Sequence, residues 1–147
     1  MNNEQFTEYE KENMIAVLGI VTKKSKVLIG KLNKDQLENF GGLPYVFPGG
    51  RIEGEETPKQ TVQREVLEES GYEVEVVGEF GRRIHPSTKK LMIYFHCEVS
   101  RGEASVEADQ NADIAELLWV EIEELKKYMP TLHDGVKMGL KKYQEAL

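Results

Sequence analysis

Residues 50–71 read GRIEGEETPKQTVQREVLEESG and combine a glycine turn, a helix with signals at both ends and a dense set of carboxylates. Thr57 is followed three residues later by a glutamine, which is the spacing of a capping box, so Thr57 is the predicted N-cap. Pro58 then falls at the first helical position, where its missing N–H costs nothing, and Gly71 fits the left-handed residue just past the helix end. The segment therefore predicts a helix from Pro58 to Ser70.

This helix carries three glutamates on one face. Glu65, Glu68 and Glu69 stand at i, i+3 and i+4, so their carboxylates share an arc of roughly 100°. Like charges at these spacings cost about 0.2–0.5 kcal/mol per pair on an exposed helix. Arg64 reaches Glu68 at i+4, and in this interpretation it leaves the other two unpaired. A solvated acidic face is the ordinary explanation; the alternative is a site for magnesium or manganese, which prefer carboxylate oxygens.

The residues before the helix favour the metal-site alternative. Residues 45–56 read YVFPGGRIEGEE, so a short apolar run turns on two glycines and carries three more glutamates towards the helix. A glycine turn lets backbone N–H groups approach a phosphate closely, although a Gly-Gly pair by itself is most often a plain turn.

The whole pattern resembles the Nudix box, the signature of the Nudix hydrolases. That signature is Gly, five residues, Glu, seven residues, Arg-Glu, an aliphatic residue, any residue, Glu-Glu, any residue, Gly and an aliphatic residue. One position departs from it, because Tyr72 stands where the signature has Ile, Leu or Val; this position packs rather than reacts. The fixed positions are filled by Gly50, Glu56, Arg64, Glu65, Val66, Glu68, Glu69 and Gly71.

The resemblance implies the Nudix fold, an α/β/α sandwich with a central mixed sheet, and hydrolysis of a nucleoside diphosphate linked to another moiety. It implies that the helix glutamates bind Mg²⁺, with Mn²⁺ as an alternative, that one of them often serves as the base, and that the glycines shape the loop–helix–loop. The implied catalytic residues are Glu65, Glu68, Glu69 and Arg64. The implied metal-binding set is Glu65, Glu68, Glu69, Glu56 and Gly49, completed by Asp113 or Glu116.

The last two residues are predicted because a fourth acid from outside the box is common in this family. Four acids, Glu107, Asp109, Asp113 and Glu116, lie in the predicted loop before the LLWV segment. Asp113 and Glu116 are the candidates, and a solvated acidic loop explains the other two.

Substrate contacts are predicted from position and residue type. Gly50 and Arg51 follow the turn directly, Arg83 lies in a basic stretch, and Tyr45 offers a ring on which a base can stack. Exposed arginines most often serve solubility alone. The three histidines, His85, His96 and His133, are scattered without metal-ligand spacing and are interpreted as ordinary structural residues.

Three functions stay open at this point. The first is a magnesium-dependent pyrophosphohydrolase acting on a nucleoside triphosphate, and the second is the same chemistry on ADP-ribose or another nucleotide sugar. Pro86, 15 residues after Gly71, resembles a mark of ADP-ribose pyrophosphatases and favours the second. The third is a non-catalytic nucleotide-binding Nudix module, but such modules typically lose box carboxylates, which are all present here.

Composition sets the broader limits. The 147 residues suit one domain, with residues 1–13 as a loose arm or short helix. A net charge of −7 argues against polymeric nucleic acid, and no apolar run or leader pattern indicates a membrane. The single cysteine, Cys97, is expected to be buried in a strand, and a reducing cytoplasm is the expected setting. The expected partner is a small nucleotide, and a homodimer stays open.

The remaining pattern predicts strands and helices in mixed order, which indicates an α/β protein with a mixed sheet. Two strands span residues 14–32 with a turn near 23–25, followed by a loop at 34–43 and a short strand at 45–47. Further strands are predicted at 72–85 (broken near Gly78 and Gly81), 91–99 and 117–120, and helices at 122–129 and 134–147.

Overall fold

The computed structural model describes residues 2–40, 42–86, 88–105 and 113–147. Its helices are α1 (Asn3–Lys11), α2 (Pro58–Ser70), α3 (Leu125–Tyr128) and α4 (Asp134–Glu145), with 3-10 turns at Lys34–Phe40 and Ile122–Glu124. Its strands are β1 (Ile15–Lys23), β2 (Lys26–Leu32), β3 (Tyr45–Val46), β4 (Gly49–Arg51), β5 (Tyr72–Ile84), β6 (Leu91–Gly102) and β7 (Ile114–Glu121).

The strands form one mixed sheet in the order β3-β2-β1-β6-β5, with β7 added to β2 and β4 added to β1. Among the strand pairs of the described residues, only β1–β6 is parallel. The β1–β2 hairpin is paired at its turn, where Thr22 lies opposite Val27, but the other half of β1 pairs with β4 instead. The hairpin therefore opens away from its turn, and residues 45–51 fill the opening.

Two hydrophobic cores cover the two faces of the sheet. One packs Val62 and Val66 of α2 against residues such as Val17 and Ile93, and the other packs α3 and α4 against residues such as Ile20. Because the side chains of a strand alternate between the faces of the sheet, successive β1 residues pack into opposite cores. The α/β/α sandwich with a mixed central sheet is thus confirmed.

The boundaries predicted for α2 are confirmed. Thr57 accepts a hydrogen bond from the Gln60 amide, whose side chain returns one to the Thr57 amide, which is a complete capping box. Gly71 ends the helix in the left-handed region at φ 81°, where a Cβ would lie 2.4 Å from a backbone oxygen. Two separate signals therefore fix both ends of the helix that carries the glutamates.

The two residues singled out for packing are both in the core. Tyr72 is 8% exposed, its ring makes an edge contact with Trp119, and its hydroxyl accepts a hydrogen bond from the indole N–H at 3.1 Å. An aromatic residue is therefore accommodated at the aliphatic position of the box. Cys97 is fully buried in β6, as expected, and burial raises the pKa of its thiol to about 12.

Outside the box, the strand predictions are confirmed with local differences. The breaks predicted near Gly78 and Gly81 are β-bulges within the continuous strand β5, where the register with β6 shifts. Strand β7 is longer than predicted because its pairing with β2 continues past the apolar LLWV segment. The predicted loop at 34–43 contains a 3-10 turn.

The N-terminal segment is helical rather than loose. Asn2 caps α1 through a capping box, and Phe6 and Tyr9 pack against the core on the α2 side of the sheet. Among the described residues, no helix is long and apolar enough to cross a membrane.

Candidate active site

Arg64 lies at the centre of the acidic cluster on α2. Its Nε and Nη2 bind the two carboxylate oxygens of Glu56 at 2.7 and 3.0 Å, and its Nη1 contacts Glu65 at 2.8 Å and Glu68 at 3.2 Å. The predicted Glu68 contact is therefore present. The prediction that Glu65 stays unpaired was wrong, because the long guanidinium stem reaches the adjacent residue. The pairing of Arg64 with Glu56 was not predicted, because Glu56 lies on the preceding loop.

The charges of this cluster are strongly coupled. The hydrogen bond from Arg64 lowers the pKa of Glu56 from 4.5 to about 2, and Glu56 in turn raises the pKa of Arg64. Burial raises the pKa of Glu65, and the charge of Glu68 adds to that effect while Arg64 opposes it. Glu65, with a side chain only 13% exposed, is thus a carboxylate whose ionised form lacks solvation.

The glycine turn lies directly against these carboxylates. The Gly49 amide donates a hydrogen bond to Glu69 Oε2 at 2.9 Å, so Glu69 is not unpaired either. A Cβ at Gly50 would lie 2.6 Å from the carboxyl carbon and Oε1 of Glu65. At Gly49 it would lie 2.1 Å from the Val17 carbonyl oxygen. Gly49 therefore requires glycine because it lies against the β1 backbone, whereas an added Cβ at Gly50 would displace the Glu65 carboxylate.

A cleft of about 770 Å³ opens beside this turn, within the size range of small-molecule sites. It brings together eight of the predicted site residues and not the other four. Those that line it are Glu65, Glu69, Gly49, Gly50, Arg51, Tyr45, Arg83 and Asp113, and those that do not are Glu56, Arg64, Glu68 and Glu116.

The two candidates for the outside acid are placed differently. Asp113 lies at the cleft and its carbonyl oxygen accepts a hydrogen bond from the Asn33 amide at 2.9 Å. Glu116 was predicted in a loop, but it is an exposed residue of β7 opposite Lys31. Glu107 and Asp109 lie outside the described residues. The structure therefore favours Asp113 over Glu116 as the residue to test.

The donor set fits a hard divalent cation. Glu65 and Glu69 present carboxylates at the cleft beside the Gly49–Gly50 backbone, and Glu68 is one turn away on the same helix face. In the part of the chain that the structure describes, no three acidic, histidine or cysteine side chains converge closely enough to hold an ion as they stand. The carboxylates fit a cation by their chemistry, because oxygen ligands suit Mg²⁺ and a bound cation would compensate the poorly solvated charge of Glu65.

The opposite wall of the cleft is basic and aromatic. Arg83 donates from Nε to the Tyr94 hydroxyl at 3.1 Å, and the His133 ring stacks on Tyr94 with centroids 5.1 Å apart. His85 and Lys90 line the same cleft. His85 and His133 were interpreted as ordinary structural residues. No sequence signal could have placed them at the cleft, since His85 follows the end of β5 and His133 precedes the start of α4.

The other aromatic and histidine predictions have simple outcomes. Tyr45 is partly exposed at the cleft, with its ring edge-on to Tyr128 at 5.0 Å. Phe47, two residues further on, is 5% exposed and belongs to the core. His96 is also a core residue, hydrogen-bonded to the Thr22 hydroxyl at 2.8 Å.

Comparison with known proteins identifies the family. The family model of the NUDIX domain matches residues 12–138, so this chain belongs to the Nudix family. It is 35% identical over 82 residues to "Putative nudix hydrolase 1" of Caenorhabditis elegans (56% of this chain, 22% of that protein). It is 33% identical over 108 residues to "Putative mutator protein MutT4" of Mycobacterium tuberculosis (67% of this chain, 39% of that protein).

A solved structure supports the fold. A NUDIX hydrolase from Nitrosomonas europaea matches with a TM-score of 0.69 at 20% identity, covering 89% of this chain and 72% of that one. The chain spans between about a fifth and two fifths of the length of the curated relatives that it matches.

Proposed function

We propose that this protein is a magnesium-dependent pyrophosphohydrolase that cleaves the phosphoanhydride of a nucleoside diphosphate-linked substrate. A nucleoside triphosphate is the preferred candidate, giving a nucleoside monophosphate and pyrophosphate. One observation carries the proposal: Glu65 and Glu69 lie in direct contact with the Gly49–Gly50 backbone at one end of a nucleotide-sized cleft. Carboxylates beside backbone N–H groups suit a cation and a phosphate together.

The roles of the protein groups follow from their contacts. Glu65, Glu68 and Glu69 would hold Mg²⁺, which when bound neutralises phosphate oxygens and makes water more acidic. Water then adds to phosphorus, the bond to the leaving phosphate oxygen breaks, and one of the glutamates takes the proton that water loses. Arg64 acts as a positioning residue, since it fixes Glu65 and Glu68 from the side away from the cleft.

The floor of the cleft suits a nucleoside. Leu18 and Met92 lie diagonally across the β1–β6 pair and line the cleft. Tyr45 closes one side with a ring that its edge contact to Tyr128 holds in place. A base and ribose can cover this apolar surface while the phosphates extend towards Gly50.

A nucleotide sugar such as ADP-ribose is the second candidate. Pro86 lies in the turn between β5 and β6, directly after His85, which lines the cleft. The residue that favours this substrate is therefore next in sequence to a residue of the cleft. The two candidates differ in their products, since a nucleotide sugar gives a nucleoside monophosphate and a sugar phosphate.

The test is a substrate panel with Mg²⁺ and with Mn²⁺, in which phosphate, pyrophosphate and nucleotide products are identified separately. Glu65→Gln and Glu68→Gln should lower turnover by about a hundredfold or more with the fold retained, because each deletes a ligand charge. Glu55→Gln is the matched control, since Glu55 is an exposed glutamate of the loop that precedes α2. No turnover of any substrate with either metal would refute the enzyme assignment and favour a non-catalytic binding module.

A further inference from the structure

The basic end of the cleft lies at a defined distance from the glycine turn. Arg51 pairs in register with Ala16, which pairs with Met92, and Met92 pairs with Arg83. Residues directly opposite on paired strands project from the same face, so the two arginines share one face of the sheet. Three strand spacings of about 4.8 Å place their Cα atoms about 14 Å apart.

Arg83 is held in place by one aromatic residue of β6. Its Nε donates a hydrogen bond to the Tyr94 hydroxyl, and its guanidinium carbon lies 5.9 Å from the centre of the same ring. Among the described residues it makes no ion pair. A guanidinium fixed at Nε presents its outer N–H groups as a pair, which is the geometry that binds a phosphate oxygen pair.

The surroundings of Arg83 are positive although the chain carries −7 overall. Lys90 lines the same cleft, and its carbonyl oxygen accepts a hydrogen bond from the amide of His85, two residues after Arg83, at 2.8 Å. Burial lowers the pKa of His85 and of His133, and the charge of Arg83 lowers both further. Asp134 opposes this effect at His133, but its side chain is 90% exposed and lies 3.7 Å from a lysine. An anion bound here would meet two cations in a partly buried wall.

We propose that Arg83 and Lys90 form a second anion subsite, which binds a phosphate on the ribose of the substrate, separate from the anhydride that is cleaved. The inference depends on the proposed function, because it concerns the same cleft. With the anhydride near Gly50, the nucleoside covers the apolar floor and its ribose phosphate meets Arg83. The substrate class is thereby narrowed to nucleotides that carry an additional 2′- or 3′-phosphate.

Binding without metal tests the subsite directly. Calorimetric titrations in EDTA should compare adenosine 5′-monophosphate with adenosine 2′,5′- and 3′,5′-bisphosphate. At least one bisphosphate should bind about tenfold or more tightly than the monophosphate, and Arg83→Gln should remove that difference. Tyr94→Phe keeps the ring but deletes the acceptor of Nε, so it should remove part of the difference.

Arg82→Gln is the matched control on the neighbouring residue. Arg82 projects from the opposite face, where it pairs with Glu79 and lies over the Phe6 ring, so its loss should leave the preference for the bisphosphate intact. In addition, the imidazole pKa of His133, followed by NMR, should rise when the bisphosphate binds or when Arg83 is neutralised. Equal affinity for the three ligands, or no detectable binding of either bisphosphate, overturns the subsite.

Turnover separates this inference from the proposed function. If nucleotides are hydrolysed but a bisphosphate binds no better than the monophosphate, the subsite is wrong and the hydrolase proposal stands. If the Arg83-dependent preference is present but no substrate is cleaved, the subsite stands and the hydrolase proposal fails. Neither result can be mistaken for the other, because the titrations require no metal and no reaction.

Discussion

The ion pair between Arg64 and Glu56 should stabilise the metal-free protein by about 1.5 kcal/mol, which exceeds what an exposed pair contributes. The perturbation is a double-mutant cycle with Arg64→Met, Glu56→Gln and the double variant. The cycle isolates this pair from the contacts of Arg64 with Glu65 and Glu68, because those are lost equally in both variants that lack the arginine.

The magnitude follows from the geometry and the charge coupling. The pKa of Glu56 falls from 4.5 to about 2, mainly through the Arg64 hydrogen bond, and at 1.36 kcal/mol per unit this sets an upper bound of about 3 kcal/mol. Each side chain is 22% exposed, so water screens part of that energy. About half of the bound remains, which corresponds to a melting-temperature change of roughly 3–6 °C.

The assay is urea unfolding followed by circular dichroism in EDTA at neutral pH. The control cycle uses Arg82 and Glu79, which make the same two-point contact at 2.9 and 3.0 Å but are 40% and 34% exposed. Its coupling should stay below about 1 kcal/mol. Because Glu56 has a lowered pKa, its coupling should be complete above about pH 4.5 and should decline as the pH falls towards 2. Equal couplings in the two cycles would refute the reasoning.

Three further variants or probes test single contacts. Gly50→Ala places a Cβ 2.6 Å from the Glu65 carboxylate; turnover should fall about tenfold or more with little change in melting temperature, and unchanged kinetics would contradict the role of this contact. Gly139→Ala places a Cβ 2.2 Å from the Phe80 ring, so it should cost about 1–3 kcal/mol in urea unfolding, despite the better helix propensity of alanine. Cys97, with its pKa raised to about 12, should react with thiol reagents at about pH 8 only as fast as the protein unfolds; rapid labelling would show an open strand.

The parts of the fold that sequence predicts well are those with local causes. The capping box at Thr57 and the left-handed Gly71 fix α2 to the residue, because both signals act within one helical turn. The bulges of β5 could be predicted from Gly78 and Gly81, which interrupt the alternation of apolar and polar residues along the strand. By contrast, the true length of β7 depends on its partner β2, and the apolar LLWV segment alone could not reveal that pairing.

The same distinction applies to the candidate site. The glutamates of α2 could be grouped from their spacing, since a helix fixes which residues share a face. The contact of Arg64 with Glu56 depends on how the loop before α2 folds back onto the helix. The i,i+4 spacing on a helix predicts only the contact with Glu68. The meeting of Arg83 and His133 at the Tyr94 ring joins residues from three elements, so no local pattern carries it.

The two polarities of the cleft have one structural origin, the opening of the β1–β2 hairpin. Because β1 pairs with β2 only near the turn, its first half takes β4 as a neighbour and brings Gly49 and Gly50 against α2. On its other side β1 pairs in parallel with β6. Strand β6 in turn pairs with β5, which carries Arg83. The box therefore supplies only the acidic end of the site. Under the proposed function, the determinants of substrate choice beyond the phosphoanhydride are to be sought across the sheet, at the end of the cleft that the box does not contain.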